Sequence, residues 1–313
     1  MVFTAYSPLS SNAELARRLL SPMTAAQIPG ILARTGKALA PQSVDLARER
    51  FVLFTPGTEP PGGYGLLVFV SPSPRAVLPE GWAEVLDREG VIFVSADGSG
   101  NDASVLGRRE PLAILAEQNV ARRFPLNSRR IWIGGYSGGS RVAMRLALAY
   151  PDVFSGAILN DGSDPIGEGE VPLPPRDLFH RFQEGTRLVY ITGARDVVHL
   201  AEDAASQQSM ARWCVFGVES ETMAFAGHAL PGDGALLGAI RTLDHPRPIN
   251  AARLASCRTK IAKEQAARLS KIENLMAAGK NSEARKELEE VDRSFGGLAA
   301  PQSLELAAKL NTG

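Results

Sequence analysis

The chain has 313 residues, with 34 basic and 34 acidic side chains, so its formal net charge is zero. That balance removes the electrostatic argument for nucleic acid or an anionic membrane surface as a partner. No apolar run approaches the ~18–20 residues needed to cross a bilayer, and two cysteines are too few for a disulfide framework or a structural zinc site.

Three zones separate along the chain. Residues 1–50 are rich in alanine and arginine and predict an N-terminal helical extension packed on a core. "SNAELARRLL" carries a Ser/Asn cap ahead of apolar helical spacing. "IPGILARTGKALAPQSVDLARER" predicts further helix, interrupted at Pro29, Gly30, Gly36 and Pro41. The first 25 residues lack a basic stretch followed by an apolar one, so no signal peptide is expected. The default compartment is then the cytoplasm, or the periplasm or exterior if the start of the chain has been trimmed.

Residues 51–248 alternate strand and helix signals. Strands are predicted at 50–55, 65–71, 90–96, 130–135, 156–160, 187–193 and 221–226. Several are continuous apolar runs, as expected of parallel strands covered on both faces. Between them, "EGWAEVLDRE", "EPLAILAEQNVARRF", "SRVAMRLALAY", "LAEDAASQQSMARWC" and "GALLGAIRTL" read as helices. The alternation predicts an α/β fold, a doubly wound and mostly parallel sheet with helices on both faces. The connection 161–186 carries four prolines and four glycines, which suits a lid or binding wall.

Residues 249–313 predict a C-terminal helical tail of two or three segments, broken at "GKN". Leu254, Cys257, Ile261, Ile272, Leu275 and Met276 fall on one stripe, which must be buried somewhere. Packing on the chain's own core is favoured over a homodimer partner. Cys214 and Cys257 could form one bridge, but two buried thiols are the favoured expectation, because cysteine is often a core residue.

The chemistry concentrates at "IWIGGYSGGSRVAMRLALAY". Gly135-Tyr136-Ser137-Gly138-Gly139 satisfies G-x-S-x-G between a predicted strand and an amphipathic helix. A nucleophile on such a turn has a strained backbone, so the residues two before and two after must be small. The glycines do not have the G-x-G-x-x-G spacing of a dinucleotide loop. The stretch "GGYSGGSRVAMRLALAYPDVFSGAI" resembles the nucleophile elbow and following helix of α/β-hydrolases. It is most similar to serine esterases of the polyhydroxybutyrate-depolymerase and feruloyl-esterase type. The resemblance covers roughly residues 50–248 and neither appendage.

A serine hydroxyl needs a base to take its proton and an acid to orient that base. In α/β-hydrolases the chain order is serine, acid, histidine. Of four histidines, His228 follows the last predicted strand in "AGHALP", which is similar to the histidine loop of the resembled esterases. His180 and His245 have helix and surface-loop settings. Asp196, in "ITGARDVVH", stands where that resemblance implies the acid, and it is also a plausible helix cap. Asp161 and Asp164 are rivals that follow the preceding strand, and His199 is read as a bystander.

The oxyanion needs two donors. The backbone N–H of Gly138 is one. The loop "VFVSPSPRAVLP" should supply the other, and Pro72 and Pro74 have no N–H. Ser71 is preferred over Ser73, with a proline-rich loop of no role as the alternative. "SADGSGND" places Asp97, Asn101 and Asp102 at the same sheet edge, where they line the site or simply build a turn. These residues imply a serine carboxylester hydrolase acting through an acyl-enzyme without metal or organic cofactor, and the resemblance implies short acyl, aryl or hydroxyalkanoate esters as its substrates. A serine peptidase or acyltransferase on the same fold, and an idle hydrolase-like binding protein, are the alternatives.

Overall fold

The computed structural model describes residues 1–167, 169 and 171–312, the side chain of Thr312 excepted. Seven strands form one sheet: β1 Phe51–Phe54, β2 Tyr64–Val70, β3 Val91–Ala96, β4 Leu126–Tyr136, β5 Gly156–Asn160, β6 Arg187–Gly193 and β7 Val218–Met223. Their order is β1-β3-β2-β4-β5-β6-β7. β1 is antiparallel to β3, and every other pairing is parallel.

Helices cover both faces. They are α1 Asn12–Leu19, α2 Pro22–Arg34, α3 Trp82–Glu89, α4 Glu110–Ala121, α5 Gly138–Ala149, α6 Arg176–Gly185, α7 Val197–Arg212 and α8 Asp233–Asp244, followed by α9 Ala251–Ala277, α10 Asn281–Phe295 and α11 Gln302–Thr312. Alternate residues of each central strand enter two separate cores. Leu66, Val68, Ile133, Leu159 and Tyr190 pack with α4 and α5 on one face. Leu67, Phe93, Trp132, Ile158 and Val189 pack with α3 and α8 on the other. This two-sided burial is why the strands read as unbroken apolar runs rather than alternating ones.

Both appendages join the α4/α5 face. Phe3, Leu15 and Leu19 from the N-terminal zone, and Phe295, Leu298, Leu306 and Leu310 from the tail, are buried in that core. Arg18, 5% exposed, fastens α1 to the end of α5. Its guanidinium donates to both carboxylate oxygens of Asp152 at 2.6 and 2.9 Å and to Ala149 O, and stacks on the Tyr150 ring at 4.4 Å. On the tail, Trp213 meets Phe295 edge-on at 5.6 Å.

Several expectations need correction. Cys214 and Cys257 are bridged, with their Cα atoms 5.8 Å apart, rather than two buried thiols. The docking of α9 beside the end of α7 brings them together, and the linear sequence does not encode that approach. α2 runs through Pro29 and Gly30 instead of breaking there. None of its residues is buried, so water can satisfy the carbonyl that proline leaves without a donor. β7 lies at 218–223 rather than 221–226, because the chain turns at Met223, whose carbonyl accepts from Ala194 and Ala226. As an edge strand it is half-exposed and polar, so the apolar run misplaced it.

The connection 161–186 is also not a free lid. It contains α6, and Ile166, Val171 and Leu173 are buried in the main core. Glu168 and Glu170, within the same stretch, lie outside the described residues. The tail caps this connection: Gly297 N donates to Leu173 O at 2.8 Å, and Arg176 donates to Leu298 O at 2.7 Å.

Candidate active site

The carboxyl ends of the parallel strands lead directly into Ser71, Asp97, Ser137, Asp161, Ala194 and, beyond β7, His228. The strand order departs from β2 in both directions, and ligands of open α/β sheets bind at such a switch point.

Ser137 sits between β4 and α5 with φ 55° and ψ −125°. A non-glycine residue there is strained by about 1–3 kcal/mol, and its surroundings must hold it. Ser137 N donates to Asn160 O at 2.9 Å, and Ser140 N donates to Ser137 O at 2.9 Å. The flanking glycines are required by space. A Cβ on Gly135 would stand 2.3 Å from the Gly139 carbonyl, and one on Gly139 would stand 2.0 Å from Val70 O. Gly162, which the motif does not include, is equally constrained: its Cβ would stand 2.6 Å from Ser137 O.

Asp196 caps α7 and is buried. Its Oδ2 faces His228 Nδ1 at 2.7 Å. It also faces His199 Nδ1 at 2.7 Å, and the two imidazoles stack with centroids 4.3 Å apart. A carboxylate oxygen has two lone pairs, so it can accept both N–H groups. Burial raises the pKa of Asp196, but the hydrogen bonds from His199 and His228 outweigh it and hold the carboxyl below its ordinary value. Donation from Nδ1 leaves the lone pair of neutral His228 on Nε2. The other face of the His228 ring packs on Tyr136, the residue before Ser137, at 4.8 Å. Burial, with Asp161 and Asp196 nearby, raises the Tyr136 pKa.

The rival acids are otherwise engaged. Asp161 is fully buried, and its two oxygens accept from Gly193 N at 2.9 Å and Ala229 N at 3.0 Å. It thereby ties the acid-bearing turn to the histidine loop, and desolvation raises its pKa. Asp164 is paired with Arg141. His245 is an exposed cap of α8, and His180 lies on α6, away from the elbow beside Arg258.

Around Gly138 the structure places two of the residues expected at the sheet edge. Ser71 directly follows β2, whose last carbonyl touches Gly139, and Ser71 Oγ accepts from Ser73 N at 3.0 Å. Asn101 lies directly against Gly138, where a Cβ would stand 2.3 Å from its Oδ1 and 3.0 Å from its Nδ2. Asp97 instead accepts from Ala76 N at 2.7 Å and builds the turn.

Sheet order, the single antiparallel edge strand and the strained serine after β4 together decide the architecture. The fold is the α/β-hydrolase fold. No protein-family model matches the chain, and comparison with the curated proteins gives no match. Among solved structures it is similar to Est1E from Butyrivibrio proteoclasticus, at 15% identity and TM-score 0.45, covering 63% of this chain and 93% of that one. It is similar to the S-formylglutathione hydrolase FrmB from Staphylococcus aureus, at 11% identity and TM-score 0.45, covering 63% and 91%. A third likeness is to Porphyromonas gingivalis dipeptidyl peptidase 4, at 15% identity and TM-score 0.46, covering 63% of this chain and 33% of that one. The chain therefore spans about a third of the peptidase's length. Identities this low do not carry an activity across.

Asp196, His199 and His228 are also the group that could hold a metal ion among the described residues, with ligand atoms within 4.8 Å of one another. No helix among those residues is long and apolar enough to cross a membrane.

Proposed function

We propose that the protein is a serine carboxylester hydrolase with Ser137 as nucleophile, His228 as general base and Asp196 as the acid that orients it. The observation that carries this reading is the buried Asp196 carboxylate on His228 Nδ1 at 2.7 Å, with the same ring packed on Tyr136 of the strained elbow. The Ser137 proton passes to His228 Nε2 as Oγ forms a bond to the ester carbonyl carbon. The imidazolium that results is stabilised by ionised Asp196. It returns the proton to the departing alkoxide, which leaves as alcohol. Water then attacks the acyl-enzyme by the same route and regenerates the serine.

The negative charge on the tetrahedral oxygen falls to Gly138 N–H and, from the β2 side, to Ser71. The Asn101 carboxamide, lying against Gly138, adds a side-chain donor to the same hole. The substrates are short acyl, aryl or hydroxyalkanoate esters, and the reaction needs neither metal nor organic cofactor. The domain plan is an N-terminal extension over 1–50, a catalytic unit over 51–248 and a tail over 249–313.

Labelling with a fluorophosphonate probe, mapped by mass spectrometry, tests nucleophile and activity together. Modification at Ser137, with hydrolysis of 4-nitrophenyl esters lost by at least about a thousandfold in Ser137→Ala and the melting temperature retained, is the expected result. Unchanged hydrolysis in that variant would overturn the reading. Turnover of peptides but not esters would transfer the same machinery to a peptidase.

A further inference from the structure

A pocket of about 340 Å³ opens beside Gly138. One wall is a single face of α5: Gly138, Arg141, Val142 and Arg145 recur at helical spacing, so the elbow and two guanidinium groups share it. Arg109 also lines the pocket, as does Asp164, the ion-pair partner of Arg141.

The three arginines differ in their partners. Arg141 is paired with Asp164 and Glu202, and Arg145 with Glu110. Arg109 is 3% exposed, yet no carboxylate stands within ion-pair distance of it among the described residues. Its Nε donates to Ser99 O at 2.7 Å and its Nη2 to Ser71 O at 3.2 Å, both neutral carbonyls. Nη1 has no protein partner among the described residues. Glu110 and Asp102 act on this guanidinium only through space, and burial lowers its pKa. A buried cation is normally paired, because desolvation penalises it strongly. Here Arg109 lines the cavity with no acid of the chain in ion-pair contact with it among the described residues. The first turn of α5 adds the positive end of its dipole at Gly138.

We propose that this pocket receives a carboxylate carried by the substrate, so that the preferred esters bear a free carboxylate beyond the scissile bond. The proposal rests on the esterase reading and names its substrate class. The planar guanidinium matches a carboxylate in geometry and sign, and the apolar Val105, Leu106 and Val142 suit the short chain leading to it.

The test compares anionic esters with neutral isosteres on both sides of the bond. On the acyl side, mono-4-nitrophenyl glutarate is set against 4-nitrophenyl pentanoate. On the alcohol side, 4-acetoxybenzoate is set against 4-acetoxybenzamide. In at least one pair the anion should be favoured in kcat/KM by about tenfold, mainly through KM, with the advantage shrinking as salt rises. Arg109→Met should erase that ratio, whereas Arg109→Lys should keep part of it. A fold defect would lower both members of a pair alike and leave the ratio intact. Should Arg109→Met fail to fold, Arg141→Gln, which leaves the carbonyl bonds of Arg109 in place, should also reduce the ratio. Equal or better turnover of both neutral esters by the native protein overturns the proposal and leaves the esterase reading standing. If no ester is turned over, that reading falls, and calorimetric titration with glutarate decides the pocket. Binding that Arg109→Met abolishes supports it, and no binding to the native protein overturns it.

Discussion

Asp196 holds two imidazoles on one oxygen, and this changes what each side chain can do. His228 is the ring beside the elbow, but its orientation also depends on His199, which stacks on it and competes for the same acceptor. We propose His199, read from the sequence as a bystander, as a positioning residue. Its replacement by Phe keeps the stacked ring and removes the second donor. We expect kcat to fall several-fold with KM little changed, against a loss of about 10³–10⁴ in Asp196→Ala, both read from steady-state ester hydrolysis. Asn101→Ala should lower kcat by about 10–100-fold and spare KM, because an oxyanion donor acts in the transition state. A KM effect alone would assign Asn101 to ground-state binding. The proposed set of Ser137, Asp196 and His228 was legible as a chain order, since each follows a strand signal. His199 carried a weaker signal, the three-residue spacing from Asp196 across the first turn of a helix. Gly162 gave none, because its constraint comes from a backbone atom brought close only by folding.

Among the elements, those buried on both sides were the most legible. β2, β3, β5 and β6 lie within a residue of where their apolar runs place them. β7 and α2 were misplaced because they are exposed, and exposed segments carry little apolar periodicity. α9 shows a third kind of dependence. Beyond the bridge to Cys214, Arg258 on this helix donates to Gln183, Glu184 and His180 O of α6. The sequence separation of 43 makes the bridge a long-loop constraint on the unfolded chain. Cys257→Ala is expected to lower stability by about 2–4 kcal/mol. Denaturant titration of the oxidised protein measures it, and reduction of the native protein should produce a shift of similar size.

At the scale of the molecule, the α4/α5 face holds ionisable groups whose burial makes stability depend on pH. Glu117 is 4% exposed, and burial pushes its pKa up to about 7 from 4.5, partly opposed by a hydrogen bond from Gln118. Its folded-state pKa is thus raised above its unfolded value. Between those two values the folded chain keeps a proton that the unfolded chain has released, so stability falls as pH rises from about 4.5 to 7 and levels off above. Glu117→Gln should remove that slope and gain about 1–3 kcal/mol at pH 8, with little gain at pH 4. Thermal melts across pH check both parts. The stripe of the tail indicated that it would be buried, but not that it would cap the connection after β5.

That capping has a consequence for the order in which the fold is completed. Gly296 and Gly297 press so closely on Leu173 and Pro174 that added Cβ atoms would stand 2.6 and 2.4 Å from their backbones. These glycines are synthesised more than a hundred residues after the segment they hold down. At a ribosomal rate of about 5–20 residues per second, that is a delay of roughly ten seconds. Ser137, Asp196 and His228 emerge well before then. The nascent chain thus holds all three side chains of the proposed triad before the segment at Leu173 and Pro174 is locked in place.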